Sequence, residues 1–463
     1  MHLLKKTAGI IILLIPFLRL SAQQNHPPLK LSELLVSVSD QAPSLQADSS
    51  VINIRRSIAE DTKYNWLPAV KLNYQSDIGT NNSVPGAYFG FGIVPSNSGG
   101  IRSSNISSTA LSNLGIASME WEIYNFGGYK AQNKVAGSDV KVVQDQYRLS
   151  KYQLQASVIE NYLQLYYFEN LLHIQEDNIK RNEQIRNSIQ SLAKSGIRAG
   201  VDTSIAEAEL SKSRLIQIEL NNKFRQIQLQ LSALSGIPYQ KIIADTTIIE
   251  PLRNITGRLT AEQNTSISHP LINYYESLYQ NSKEKENLVR KTYLPKIMIE
   301  GAVWGRGSSI TANNQFDALN QGWGFSRTNY LVGIGVSYNL TDLKRKQLKL
   351  NTQRNTSIYE EKRLRTQKVN LKTNIDQADA ELKTSVDRLN EIPHQLSAAN
   401  AAYRQKYSLY KNGLIDLIEL NIAQNLLYRA EADYATARYS FLHAVFEQAI
   451  TRNQVQSLIT TLK

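Results

Sequence analysis

The sequence has no cysteine. That absence excludes disulfides, thiolate metal sites, a cysteine nucleophile and an N-terminal lipid on Cys. No internal run reaches the roughly 18 apolar residues that a bilayer-crossing helix needs. The six histidines, His2, His26, His173, His269, His394 and His443, are scattered, and no two stand four apart as a zinc-binding helix requires. Walker-type and G-x-G-x-x-G segments are also missing, so no nucleotide-driven chemistry is expected. What remains is a chain of 463 residues, 42% hydrophobic and 20% charged, a balance typical of folded proteins. At roughly 150 residues per domain the length alone suggests about three domains. Lys and Arg outnumber Asp and Glu by 52 to 40, but an excess of +12 over this length is not a nucleic-acid footprint. No nucleic-acid partner, cofactor or metal is expected.

The first residues carry an address. Lys5 and Lys6 precede the apolar run Ala8 to Leu18, and Ser21-Ala22 leads into Gln23-Gln24-Asn25. This order marks an exported precursor, with residues 1–22 as signal peptide and cleavage expected after Ala22 or Gln23. About 11 apolar residues are too few to anchor the chain as a membrane-spanning helix.

The chain is written twice. Pro43 and Pro68 recur as Pro270 and Pro295, an offset of 227 residues. Further on, Trp121-Glu122-Ile123-Tyr124-Asn125 aligns with Tyr338-Asn339-Leu340-Thr341-Asp342, an offset of 217. The same 217 superposes Gly196, Asp202, Ala206 and Leu210 on Gly413, Glu419, Ala423 and Leu427. The change falls in a Gly/Ser/Asn-rich stretch that a loop would absorb. Two copies of one unit are therefore expected, at 29–250 and 260–461.

Each unit repeats one order of elements. A helix over 41–65 or 268–292 ends at a Leu-Pro step, where proline disfavours the α conformation before it. A strand–loop–strand segment follows, at 68–126 and 295–342. Val70, Leu72 and Tyr74 alternate with Lys71, Asn73 and Gln75; Tyr330, Val332, Ile334, Val336, Tyr338 and Leu340 alternate with Gly333, Gly335, Ser337 and Asn339. Loops are expected at 79–110 and about 305–328. Strands of about ten residues with aromatics near their ends suit a membrane barrel better than a soluble hairpin. Long helices are then predicted over 128–195 and 344–412, the first with a seven-residue apolar spacing at Val135, Val142, Leu149, Ala156 and Leu163. Turns at Gly196 and Gly413 lead to return helices at 203–234 and 415–460, and Pro393 predicts a kink or break.

Four strands cannot close a barrel in lipid, where each unpaired edge amide costs several kcal/mol. The smallest closed barrels use about eight strands, so copies of the chain must pool theirs; two, three or four copies all satisfy that requirement.

The duplicated order of helix, Leu-Pro, strand, loop, strand and long helical hairpin resembles the TolC family of outer-membrane efflux and secretion channels. So do Trp121 to Gly128, Tyr162-Leu163-Gln164-Leu165, Lys194-Ser195-Gly196 with Ala206 to Leu210, and Tyr410 to Gly413 with Ala423. The resemblance runs from about Leu29 to Leu462. It implies a homotrimer whose chains share a twelve-stranded β-barrel in outer-membrane lipid, above an α-helical coiled-coil tunnel in the periplasm. It also implies a passive exit duct, docked by a periplasmic adaptor to an inner-membrane transporter, with no catalytic residue.

By the same resemblance, the tips Gly196-Ile197 and Gly413-Leu414 match adaptor-docking positions. Glu419 matches an acidic position lining the constricted periplasmic mouth. A second acidic position of the family falls on Ile422, and Asp416 is the nearby substitute. Glu120 and Glu122, on the less apolar face of their strand, are expected in the barrel lumen. Residues 341–372 hold ten Lys/Arg against three Asp/Glu, read as a solvated helix surface rather than an anion-attracting collar. Tyr162 to Phe168 is read as interhelix packing. The rival reading is a non-conducting envelope scaffold or adhesin using its coiled coils as spacers. An envelope-polymer hydrolase is disfavoured, because no Ser/His/Asp set or carboxylate pair appears.

Overall fold

The computed structural model describes residues 28–82, 103–196, 199–245, 252 and 269–461. The expected signal peptide, Ile197 and most of the first strand–strand loop lie outside them.

Two helices open the described chain, α1 (Leu31–Gln41) and α2 (Pro43–Lys63). Pro43 occupies the first helical turn, where its missing N–H costs nothing, and Ala42 before it is extended. The equivalent helix, α5 (Pro270–Thr292), starts the same way, with His269 Nδ1 accepting from the Leu271 amide at 3.2 Å. Each helix stops just before its Leu-Pro step. The chain then enters β1 (Ala69–Gly79) or β3 (Lys296–Ser308). The returning strands are β2 (Ala110–Tyr124) and β4 (Arg327–Ser337). All four form one antiparallel sheet in the order β1-β2-β3-β4. Residues 305–308, expected in a loop, instead extend β3, and a 3-10 turn at Leu319–Trp323 folds back toward the sheet. Phe325 follows that turn and lies over Gly115 and Gly305; a Cβ on Gly305 would meet its ring at 2.9 Å. Strand β4 ends at Ser337, short of the expected Leu340.

Phe126 and Gly127 both take positive φ, at 50° and 88°, and turn the chain from β2 into α3 (Gly128–Lys194). Its 67 residues span about 100 Å at 1.5 Å per residue. Return helix α4 (Gly200–Ser235) packs along it. The second hairpin pairs α6 (Asp342–Lys411) with α7 (Leu417–Thr451), followed by α8 (Val455–Thr461). Of the kink or break expected at Pro393, the break does not occur: α6 runs on through it. The return helix expected over 415–460 is divided at Arg452–Gln454, where Asn453 takes φ 57°.

The main core joins α1, α3, α4, α7 and α8 around Leu34, Tyr162, Tyr166, Phe441 and Phe446, all nearly fully buried. Burial of each such side chain contributes roughly 1.5–3 kcal/mol. The Tyr162 hydroxyl donates to the Leu29 carbonyl and accepts from the Asp245 amide, both at 2.8 Å. It thereby fastens both ends of the first unit to α3. Nearer the sheet, α2, α3, α5 and α6 pack in a row, each against the next. This row runs in the same order as the strands to which the helices connect.

Candidate functional site

The sheet has two unlike faces. Pairing sets Val70 opposite Met119, Leu72 opposite Ala117, Gly301 opposite Val332 and Val303 opposite Tyr330. With Ile334 and Val336 these residues make an apolar face that is largely uncovered: Leu72 is 86% exposed and Tyr330 81%. A soluble sheet would bury such a face, whereas a sheet in lipid presents it outward. Trp66 and Trp121 lie at its helical end with ring centroids 6.5 Å apart, and Trp121 Nε1 donates to the Trp66 carbonyl. Aromatic pairs at that height suit a membrane–water boundary.

The opposite face carries Lys71, Asn73, Gln75, Asp77, Ser118, Glu120 and Glu122, with Ile116 and Trp304 among them. Glu120 stands directly across from Glu300, and both are exposed. Glu122 is more enclosed. It accepts from Lys296 Nζ at 2.6 Å and from Asn125 Nδ2 at 2.8 Å. At the other end of the face, Arg306 stands opposite Arg327, both exposed and without an acidic partner among the described residues. Glu300 and the two arginines were missed in the sequence because their relation depends on strand register, and Arg306 fell in an expected loop.

At the far end of the hairpins, Gly413 takes φ 74° and closes α6. Its amide donates to the Tyr410 carbonyl, and the Leu414 amide reaches back to the Leu409 carbonyl at 3.0 Å. These two bonds make a Schellman turn, in which the residue after the glycine ordinarily packs on the helix it has left. Here Leu414 remains 69% exposed. Gly196 has φ 76° and its amide donates to the Ala193 carbonyl, so both tips use left-handed glycines.

Asp416 caps α7, its Oδ1 accepting from the Glu419 amide at 2.9 Å. One of its oxygens is thus committed to the backbone. Glu419 faces solvent and meets Lys406 Nζ across the hairpin at 2.5 Å. Lys406 was not singled out in the sequence, since thirteen residues and a turn separate it from Glu419. Above this level Gln424 on α7 donates to Asn178 and Asn182 on α3, and Asn182 to Ser213 on α4. Arg181 holds Glu431 through two bonds of 3.0 and 2.6 Å. The buried Gln424 contacts and the partly buried Arg181–Glu431 pair join the two hairpins.

A cleft of about 340 Å³ between α3 and α7 is lined by Ala156, Glu160, Leu163, His443, Phe446 and Ile450, among others. His443 Nε2 lies 3.0 Å from Glu160, which also accepts from Tyr439 and Gln164. The bond to His443 chiefly holds the Glu160 pKa down, at about 2. The same bond raises that of His443. Ser157 and Glu447 complete the polar part of the lining. Among the described residues there is no cluster of His, Asp and Glu able to hold a metal. No described helix is long and apolar enough to cross a membrane.

A family model described as outer membrane efflux protein matches residues 34–237 and 276–447, most of both units. The chain belongs to the outer membrane efflux protein family. Among solved structures it is similar to the outer-membrane channel OprN, with 16% identity, a TM-score of 0.70 and coverage of 92% of this chain and 90% of that one. It is also similar to the CmeC outer membrane channel of Campylobacter jejuni, with 11% identity, a TM-score of 0.72 and coverage of 94% and 90%. The outer membrane protein VceC of Vibrio cholerae gives 11% identity, a TM-score of 0.71 and coverage of 91% and 95%. At these identities the likeness establishes the TolC-like fold. No curated protein matches. Family membership gives the chain its place in the outer membrane and its role as an efflux channel, with the helices on the periplasmic side.

Proposed function

We propose that three copies of this efflux-family chain pool their strands into one twelve-stranded barrel, continued by a helical tunnel. In this reading the assembly is the passive exit duct of a tripartite efflux or type I secretion system. The observation that carries it is the open sheet: β1 pairs only with β2 and β4 only with β3 among the described strands, beneath an exposed apolar face. Bilayer hydrocarbon leaves the two free edges no partner except each other, in successive copies.

The polar face then lines the lumen, with Glu120 and Glu122 toward its periplasmic end. The tips at Gly196 and Gly413, with Ile197 and Leu414, receive the helical hairpin of a periplasmic adaptor, which links the duct to an inner-membrane transporter. Glu419 faces the narrowed mouth and Asp416 fixes the start of the helix that carries it. Substrate moves by diffusion, driven by the transporter, so selection rests mainly with the pump.

The test is the mass of the detergent-extracted particle from outer membranes, corrected for bound detergent. Three chains per particle support the shared barrel. A folded, membrane-extracted monomer would overturn it and favour a non-conducting envelope scaffold.

A further inference from the structure

The duplication identifies which helical surfaces must meet when the ring closes, and this inference rests on the closed-ring reading above. Within the chain, α5 is covered on two sides, by α6 and by α3. Toward α3, Asn281 Nδ2 donates to Ser138 Oγ and Asp139 Oδ1, both at 2.8 Å, and Lys285 Nζ lies 3.2 Å from Asp139. Toward α6, Ser282 bonds Ser357 and Glu286 meets Arg354.

Among the described residues its counterpart α2 packs chiefly against α3, as α5 packs against α6. Among the described residues of one chain, no extensive contact stands where α5 has its contact with α3. The offset of 227 that relates Pro43 to Pro270 carries Asn281 back to Ile54 and Lys285 back to Ile58. These two residues are 57% and 46% exposed, and Val51, one turn earlier, is 41% exposed. The offset of 217 that relates Gly196 to Gly413 carries Ser138 and Asp139 forward to Asn355 and Thr356 on α6. Both are exposed, as is Tyr359 one turn on. The faces left bare on α2 and α6 are thus the equivalents of the two faces joined between α5 and α3.

We infer that Val51, Ile54 and Ile58 of one copy pack on Asn355, Thr356 and Tyr359 of the next. This occupant, a second copy of the chain, follows from two independent edges. The helix row α2-α3-α5-α6 ends at the same places as the strand row β1-β2-β3-β4, so one displacement that pairs β4 with β1 also brings α6 to α2. The contact is head-to-tail, the kind that closes a ring when the rotation divides the circle. Its chemistry departs from the internal seam in one respect. Asn281 and Lys285, which bond α3 through polar atoms, are replaced by isoleucines, so the seam between copies is more apolar than the seam within one.

The absence of cysteine makes the test direct. Full-length chain carrying Ile54→Cys with Asn355→Cys is oxidised in outer membranes and run without reductant. Ile58→Cys with Thr356→Cys provides a second pair at the same seam. Both should give covalent multimers, and each single variant should not. Ser138→Cys with Asn281→Cys serves as the internal reference and should form its disulfide within one chain. Multichain particles in which the reference pair closes but both seam pairs stay monomeric would overturn the proposed faces while sparing the ring. Single-chain particles would overturn the ring, and the inference with it.

Discussion

Lys406 Nζ lies 2.5 Å from Glu419 Oε2, across the turn between α6 and α7. Both side chains are substantially exposed, at 39% and 48%, so the contact adds little to stability. Its consequence is electrostatic. A carboxylate that faces the mouth with a bound ammonium presents much less negative charge than a free one. Removing the lysine should therefore leave a net negative charge at this level, and removing the acid a net positive one. Lys406→Gln is expected to strengthen cation preference and block by multivalent cations, whereas Glu419→Ala, which leaves the ammonium unpaired, should weaken both by a similar amount. Reversal potentials in planar bilayers check this, and equal, null effects would remove Glu419 from the mouth.

Asp416 is expected to behave differently although it stands only three residues away. Its carboxylate accepts the Glu419 amide as the N-cap of α7. Asp416→Ala should cost about 1 kcal/mol of local helix stability. Asp416→Ser, which can still cap, should restore most of it. Hydrogen exchange at the start of α7 reports this loss, and ion selectivity should stay near that of the parent chain.

The strand alternation from Val70 to Gln75 was legible because a period of two has few other meanings, and the long helices because almost nothing interrupts them. Pro393 does not break α6 although it lacks an N–H and its ring crowds the carbonyl four residues earlier, because the packing of α6 against α7 supports the helix through that defect. The candidate site was less legible. Glu419 stands out by its position after Gly413, but Lys406 becomes its partner only when the hairpin folds. Likewise Glu120 is visible as an acid on the less apolar face of its strand, whereas its juxtaposition to Glu300 requires a register between strands from different units. Chain-local patterns survive in one dimension, and pairings across the duplication do not.

Glu160 and His443 should make the α3–α7 contact sensitive to pH in a predictable direction. His443 has a raised pKa, first through its bond to Glu160 and also through Glu447 and Glu381. Its stabilisation is complete below the ordinary histidine pKa and disappears as pH rises through the elevated value. Glu160, held at about 2, loses its contribution only as pH falls below the ordinary carboxylate range toward that value. His443→Gln should accordingly lower Tm more at pH 5.5 than at pH 9, on the order of the ordinary histidine range. A Tm difference independent of pH would show that the imidazole acts there by packing alone.

The two like-charge pairs on the polar face yield the sharpest expectation for the barrel. Glu120 faces Glu300 toward the helical end of the sheet, and Arg306 faces Arg327 toward the opposite end. Like charges directly across an antiparallel pair destabilise it by roughly 0.2–1 kcal/mol, so neither pair is there for folding. Lining a water-filled lumen, each pair would recur in every copy and form a charged zone, negative on the periplasmic side and positive near the outer mouth. Arg306→Gln with Arg327→Gln should move the reversal potential toward cations, and Glu120→Gln with Glu300→Gln toward anions. Both double variants should keep or slightly raise thermal stability, because each relieves repulsion. Unchanged selectivity with unchanged assembly would place this face away from the conducting path and would require the sheet to be turned the other way in the membrane.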